Sequence, residues 1–343
     1  MKKKTKIVLE VLFVVLIFLV LLFAFRFNKE LKIPHEEIPK EEAPKLKIMD
    51  LESKTRPIAV MINNLAPARN YHSGLHEAYL VYEMIVEGGI TRLMAIYKDV
   101  DVSKIGSIRS ARPYYLDYVL ENDAIFVHWG YSEQALTDIR LLGISNLDGY
   151  YYEKSYFWRD KSLPVASEHR GFTNIENINK GIKALNYRNT SQSKPLLNYS
   201  VESVLVNQNE QAIPAREIDI KYSKNVTTHY SYDEKTKMYK RSVNQQPHVD
   251  YVSKEQYSFK NIITYQVPNE TLPGDVKGRQ TLKNIGRGEG YYISEGYAIP
   301  IQWEKRTRES KTIYRFLNGE ELKVNDGNTF IQIQPIDEFL SIT

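Results

Sequence analysis

Apolar and polar positions along this chain fall into three regimes. In the first, residues 7–25 (IVLEVLFVVLIFLVLLFAF) are apolar except for Glu10 and follow the basic stub MKKKTK. About twenty apolar residues cross a bilayer as a helix, so a transmembrane segment is predicted here. The exit Phe23-Ala24-Phe25-Arg26 lacks the small-residue spacing of a cleavage site. The expectation for residues 1–25 is a cytoplasmic stub and a retained signal-anchor, lysines inside and the bulk of the chain outside. In the second regime, 26–50, Pro34, Pro39 and Pro44 sit among Lys and Glu. Such a composition cannot bury a core and predicts an extended, solvated tether.

The third regime is globular. Pro57–Ile62 reads as a buried strand, and strands at 79–86 and 90–98 flank a tight Gly88-Gly89 turn. Pro113 opens a helix over 113–121, Asp123–Trp129 is another strand, and Ser132 caps a helix that Gly143 stops. Thr173 and Glu176 have capping-box spacing for a helix running to Leu185. Strand–helix alternation makes 51–195 an α/β (or α+β) domain with a mixed sheet. A polar stretch, 196–214, reads as a linker. From 215 to 343 the pattern is short alternating strands, with hairpin turns at Glu295-Gly296 and Asn318-Gly319, which predicts a mostly antiparallel all-β domain.

Composition narrows the setting. There is no cysteine among 343 residues, which removes disulfides, thiol catalysis and thiolate metal sites. A net charge of +4, with the signs interspersed, argues against a nucleic-acid partner. Tyrosines, 25 of them here, are common on sugar-binding surfaces, but more often such residues simply serve strands.

Candidate chemistry concentrates in Val81–Arg112. Glu83 and Glu87 are four apart, so a regular strand would project both to one side. Two carboxylates about 5–9 Å apart are the apparatus of glycosidic cleavage. The alternative is that they neutralise Arg92, Arg109 and Arg112, or that those guanidiniums hold an anionic ligand. Ser110, His128, Asp160 and His169 are expected around the same pocket. Ser110 with His128 lacks the nucleophile-elbow context, and His128, Asp160 and His169 are too loosely spaced for a metal site, so neither metal nor cofactor is expected. His72 and His76 have helical spacing, but Ser73-Gly74 speaks against a helix there. Trp129, Tyr131, Tyr150–Tyr152, Phe157 and Trp158 could stack on sugar rings or cover the α/β core.

Several stretches resemble the YerB-like family of bacterial envelope proteins. They are Val86–Arg92 (VEGGITR), Ile108–Tyr114 (IRSARPY), Val127–Gly130 (VHWG), Tyr156–Asp160 (YFWRD), Pro247–Asp250 (PHVD) and Gly286–Gly290 (GRGEG). The resemblance implies a two-domain exported protein, mainly of Gram-positive bacteria, without an established reaction. Its members are typically held by a lipidated cysteine; here the apolar N-terminus must do that work. Ser167–Thr173 (SEHRGFT) departs from the expected Pro-His-Asn-Leu-Tyr-Thr. The expected function is a membrane-anchored extracytoplasmic protein that cleaves or modifies a wall glycan, with Glu83 and Glu87 catalytic. The alternative is a non-catalytic protein binding an anionic wall ligand or an envelope protein.

Overall fold

The apolar N-terminal run forms one helix, α1 (Lys2–Glu30), whose Lys3–Asn28 stretch is long and apolar enough to cross a membrane. A computed structural model describes residues 2–30 and 45–343. The helix therefore runs through residues 26–30, where the tether was expected to begin. The rest of that tether up to Pro44 lies outside the described residues.

Residues 45–343 form a second unit. Its first half supplies β1 (Ile58–Asn63), β2 (Leu80–Ile85), β3 (Thr91–Tyr97), β4 (Ile125–His128) and β5 (Asn146–Asp148), with helices α2 (Pro113–Glu121), α3 (Glu133–Leu141) and α4 (Ile175–Ala184). The second half supplies β6 (Glu217–Ser223), β7 (Val226–Asp233), β8 (Met238–Val243), β9 (Asn261–Val267), β10 (Gly286–Ser294), β11 (Tyr297–Lys305), β12 (Ile313–Phe316), β13 (Thr329–Pro335) and β14 (Leu340–Ile342). The mixed sheet is present in the first half and antiparallel pairing dominates the second.

The two halves share one sheet. Its order is β11-β10-β9-β13-β2-β3-β1-β4-β5, with Ile213–Pro214 and β12 both on β11. Near the end of the chain, β13 runs parallel to both β9 and β2, with Thr329 opposite Asn261 on one side and Leu80 on the other. Strands β1, β2, β3 and β13 are buried at every position, because both faces of the sheet are covered. By contrast β6, in a smaller antiparallel sheet of β8, β7, β6 and β14, alternates between buried and open positions.

That smaller sheet packs on one face of the large one, where the Tyr222 hydroxyl donates to Gln332 Oε1 at 2.7 Å and lies 3.1 Å from the Glu83 carbonyl. Helix α2 covers the other face, where the Tyr82 hydroxyl donates to Glu121 Oε1 at 2.7 Å. Among the largest fully buried side chains, all but Arg241 and Phe126 are tyrosines. Most of the tyrosine content thus serves the core, and the hydroxyls of the ten fully buried rings are hydrogen-bonded.

Local signals held at most boundaries. Ser132 Oγ accepts from the Ala135 N–H at the start of α3. Glu295 and Gly296 both take positive φ, 54° and 81°, as a two-residue hairpin turn with right-handed strand twist demands. Helix α4 is capped one residue later than expected: Asn174 Oδ1 accepts from Asn177 N, while the Thr173 hydroxyl is spent on the Tyr156 carbonyl. The stretch 196–214, read as a linker from its polarity, is packed. Asn198–Ser200 pairs with Lys323–Asn325, Val206 is buried, and Val204 N donates to Asn325 Oδ1.

Ionic contacts cross between the halves. Glu121 pairs with Lys305 at 3.0 Å, both buried, and Arg308 bridges Asp117 at 2.5 Å and Asp138 at 2.8 Å. A body built this way has one core. Urea unfolding of the full chain in detergent is expected to give a single transition, coincident by tryptophan fluorescence and far-UV circular dichroism. Two separated transitions would contradict a shared core.

Candidate functional site

Strands β1, β4 and β5 are parallel, so their C-terminal ends open on the same side; this edge is where open α/β sheets place ligands. The segment before α2 crosses this edge. Arg109 N donates to the Met61 carbonyl at 3.0 Å, and the Arg109 carbonyl accepts from Trp129 N at 3.0 Å. Gly130, at φ 78°, directs its N–H to Asp148 Oδ1 at 2.7 Å. The arginines, the VHWG stretch and the aromatic loop are thereby drawn to one crest.

Glu87, Arg92 and Arg112 do come together. Strand β2 ends at Ile85, and Glu87 opens a short turn in which Gly88 takes φ 71°. The Glu87 carboxylate accepts from Arg92 Nη2 at 2.8 Å, from Arg112 Nε at 2.8 Å and from Arg112 Nη2. The remaining terminal nitrogens of the two arginines donate to the Ser110 and Ala111 carbonyls. Burial pushes the Glu87 carboxyl up, but the Arg112 hydrogen bond and the two cations outweigh it and hold it at about 2. Ser110 contributes its carbonyl here, as part of the clamp's backbone.

Glu83 is elsewhere. The turn at Glu87 breaks the strand register, so the expected shared face does not exist. Glu83 points into the seam between the two sheets and is fully buried. Its carboxylate accepts from Asn64 Nδ2 (3.0 Å), the Thr91 hydroxyl (2.7 Å), the Thr228 hydroxyl (3.2 Å) and Arg241 Nη2 (2.9 Å). A residue sealed in this way reaches no substrate. The paired-carboxylate geometry expected from the sequence is corrected on that ground.

A hydrogen-bonded chain continues from Arg241. Arg241 can only donate, so His248 Nδ1 accepts from its Nη1 at 2.6 Å. His248 Nε2 must then carry the proton, which it donates to His72 Nδ1 at 2.8 Å. His72 Nε2 in turn donates to the Asn63 carbonyl, and Asn63 Nδ2 donates to His169 Nδ1 at 2.9 Å. Both inner histidines are held neutral. Burial first, and then the Arg241 cation, push His248 far below its usual range, and burial takes His72 down to about 3. His72 was set aside because Ser73-Gly74 speaks against a helix there, and no local rule joins it to His248, so this chain was missed. Asp250 accepts from Val252 N at 2.7 Å and Ser253 N at 2.9 Å and so stabilises its own turn.

The other expected residues have separate partners. Arg109 reaches the Glu168 carboxylate at 3.5 Å on the crest. His128 is buried, with Nδ1 at 2.9 Å from the Gly130 carbonyl and Nε2 at 3.1 Å from Asn146 Oδ1. Asp160 pairs with Lys104 at 2.8 Å and accepts from Ser162, so it stabilises a turn. The Trp129 indole is wedged against Gly149 and Gly171, where any Cβ would lie within 2.7 Å of it, and Arg159 stacks over it at 4.3 Å. Tyr150 and Tyr151 are open, at 69% and 61% exposure, and the Tyr151 and Tyr131 hydroxyls lie 3.0 Å apart.

This mixed-sheet first half, joined through β13 to a β-rich second half, defines the class of protein. Residues 46–188 match the family described as "Protein of unknown function (DUF3048) N-terminal domain", and residues 218–331 match its C-terminal domain; the chain belongs to this family. It is 29% identical over 305 residues to the Bacillus subtilis (strain 168) protein named "Putative lipoprotein YerB", covering 87% of each chain. The crystal structure of YerB protein from Bacillus subtilis superposes with a TM-score of 0.75 at 26% identity, covering 88% of this chain and 99% of that one. The resemblance seen in the sequence motifs is therefore borne out.

Two titrations follow from this geometry. An unfolded histidine takes up a proton near pH ~6.5, whereas folded His72 does so only near 3. The unfolded state then binds more protons in between, so the contribution of His72 is complete above about pH 6.5 and drains away as pH falls toward 3. Urea midpoints should decline over that window, and His72→Gln should flatten the decline; an unchanged slope would contradict the neutral chain. Carbon-13 NMR should find the Glu87 carboxyl titrating at about 2, and Arg112→Gln should raise it by roughly a unit or more, the loss of one adjacent cation.

Proposed function

We propose that this is a membrane-anchored, extracytoplasmic envelope protein that binds a wall glycan or an anionic envelope ligand without cleaving it. Helix α1 serves as the single-pass anchor in place of a lipidated cysteine, since the chain has no cysteine. The relative's name as a lipoprotein supports the same side of the membrane for the folded part.

The observation that carries the binding reading is the state of the two acids. Glu83 is sealed against Arg241, and Glu87 is clamped by two arginines with its carboxyl at about 2. A general acid must hold a proton near working pH, and Glu87 cannot do so there. The crest offers contact surface: the open rings of Tyr150 and Tyr151, Tyr131 beside them, and Arg109 and Arg159, each paired with an exposed acid (Glu168 and Glu153) that a ligand carboxylate would displace. Open aromatic faces and guanidiniums suit sugar rings bearing carboxylates.

The test is co-sedimentation of the full chain, in detergent, with isolated peptidoglycan sacculi. Retention without released fragments is expected, and the double change Tyr150→Ala with Tyr151→Ala should weaken retention by about tenfold, two lost ring contacts. Release of soluble fragments that disappears in Glu87→Gln would overturn the non-catalytic reading. For the anchor, protease added to intact protoplasts should degrade the folded part; its protection would reverse the orientation.

A further inference from the structure

A second feature lies in the other half, at the GRGEG stretch that the crest does not use. Strands β9 and β10 pair only as far as Tyr265 opposite Gly290, yet β10 continues back to Gly286 while paired solely with β11. In an antiparallel ladder every second residue turns its N–H and C=O away from its partner. Along residues 286–289 those groups face a slot of about 480 Å³ between the two diverging strands. Pro268, Ile285 and Ile336 give the slot apolar walls, and Ile285 and Ile336 remain open at 39% and 48% exposure.

Trp303 lines the same slot. It is only 4% exposed, and its indole N–H has no acceptor among the described residues. A buried donor left unbonded is costly, and its absence of a protein partner points to a guest. Gly288 keeps the approach free: a Cβ there would stand 2.8 Å from Trp303 Nε1. At the rim, the Arg287 guanidinium enters no hydrogen bond or ion pair among the described residues, and its cross-strand neighbour Glu304 is paired with Arg306 at 2.8 Å. Lys283 beside it is exposed but paired with Glu270 at 3.2 Å, and Glu289 also lines the slot, which leaves Arg287 as the cation available to a guest.

We infer that this slot binds a short extended peptide with a free carboxylate, which enters as an added strand between β9 and β10. Its backbone completes the ladder along residues 286–289, one of its carbonyls accepts from the Trp303 indole, and its carboxylate meets Arg287. An open strand edge gives the affinity through main-chain bonds, while flanking pockets and charges select the sequence. The inference is independent of the glycan reading at the crest.

The test is nitrogen-15 NMR of the full chain in detergent, following the Trp303 indole signal, assigned by its loss in Trp303→Phe. The probe is an equimolar pool of N-acetylated tetrapeptides with free carboxyl ends. The Trp303 signal should move downfield, and the alternate amides of 286–289 that face the slot should gain protection from exchange. The same pool as C-terminal amides, or the Arg287→Gln variant with the free-acid pool, should bind about tenfold more weakly, the loss of one hydrogen bond to a charged group. A Trp303 signal that stays fixed at millimolar peptide would overturn the proposal. So would one that moves equally with N-acetylglucosamine, since that response belongs to a sugar.

Discussion

The buried pair of Glu83 and Arg241 is the contact on which the rest of this structure depends. Each side chain has zero exposure, and they meet at 2.9 Å across the seam between the large sheet and the small one. Glu83 sits on β2 in the first half of the chain, and Arg241 on β8 in the second. Removing either partner leaves an uncompensated charge in the interior, at a cost of about 3–5 kcal/mol. The pair thus fixes which face of β2 looks toward the small sheet. Once that face is set, Tyr82 on the alternate side is committed to helix α2 and Glu121.

The functional consequence follows from how the acids are used. Glu83, Asp117, Glu121 and Asp138 all lie in the first half, and each finds its cation in the second: Arg241, Lys305 or Arg308. Acidic side chains that would suggest catalysis in an isolated α/β domain are the fastenings of a larger body. On the crest Tyr150 and Tyr151 stay open to solvent, while Arg109 and Arg159 are half-buried and paired with the exposed acids Glu168 and Glu153. The neutral histidines behind it, each in a single tautomer, connect Arg241 to the Asn63 turn and so couple the interior seam to the crest loops.

Much of the local structure was legible. Pro113 marks the start of α2, Ser132 the cap of α3 and Glu295-Gly296 a hairpin turn, because each acts through its own backbone within a few residues. The clamp of Glu87 by Arg92 and Arg112 was legible for the same reason, since all of its members lie within Val81–Arg112. What could not be read was anything that depends on distant partners. Glu83 and Arg241 are 158 positions apart, and no spacing rule joins them. The insertion of β13 beside β2 is equally non-local, and its alternating pattern fits an edge strand as well as a central one. His72 was set aside for a sound local reason, its non-helical neighbourhood, yet its partner, His248, lies in the other half.

The most direct test is a double-mutant cycle on Glu83→Gln and Arg241→Met, with unfolding free energies of the full chain from urea titration. Each single change should cost about 3–5 kcal/mol, and the double variant should lose little more than the worse single one, because the second change removes a charge already stranded. Losses that simply add, or single losses within the ±0.5 kcal/mol typical of surface substitutions, would show that the seam does not hold the two halves together.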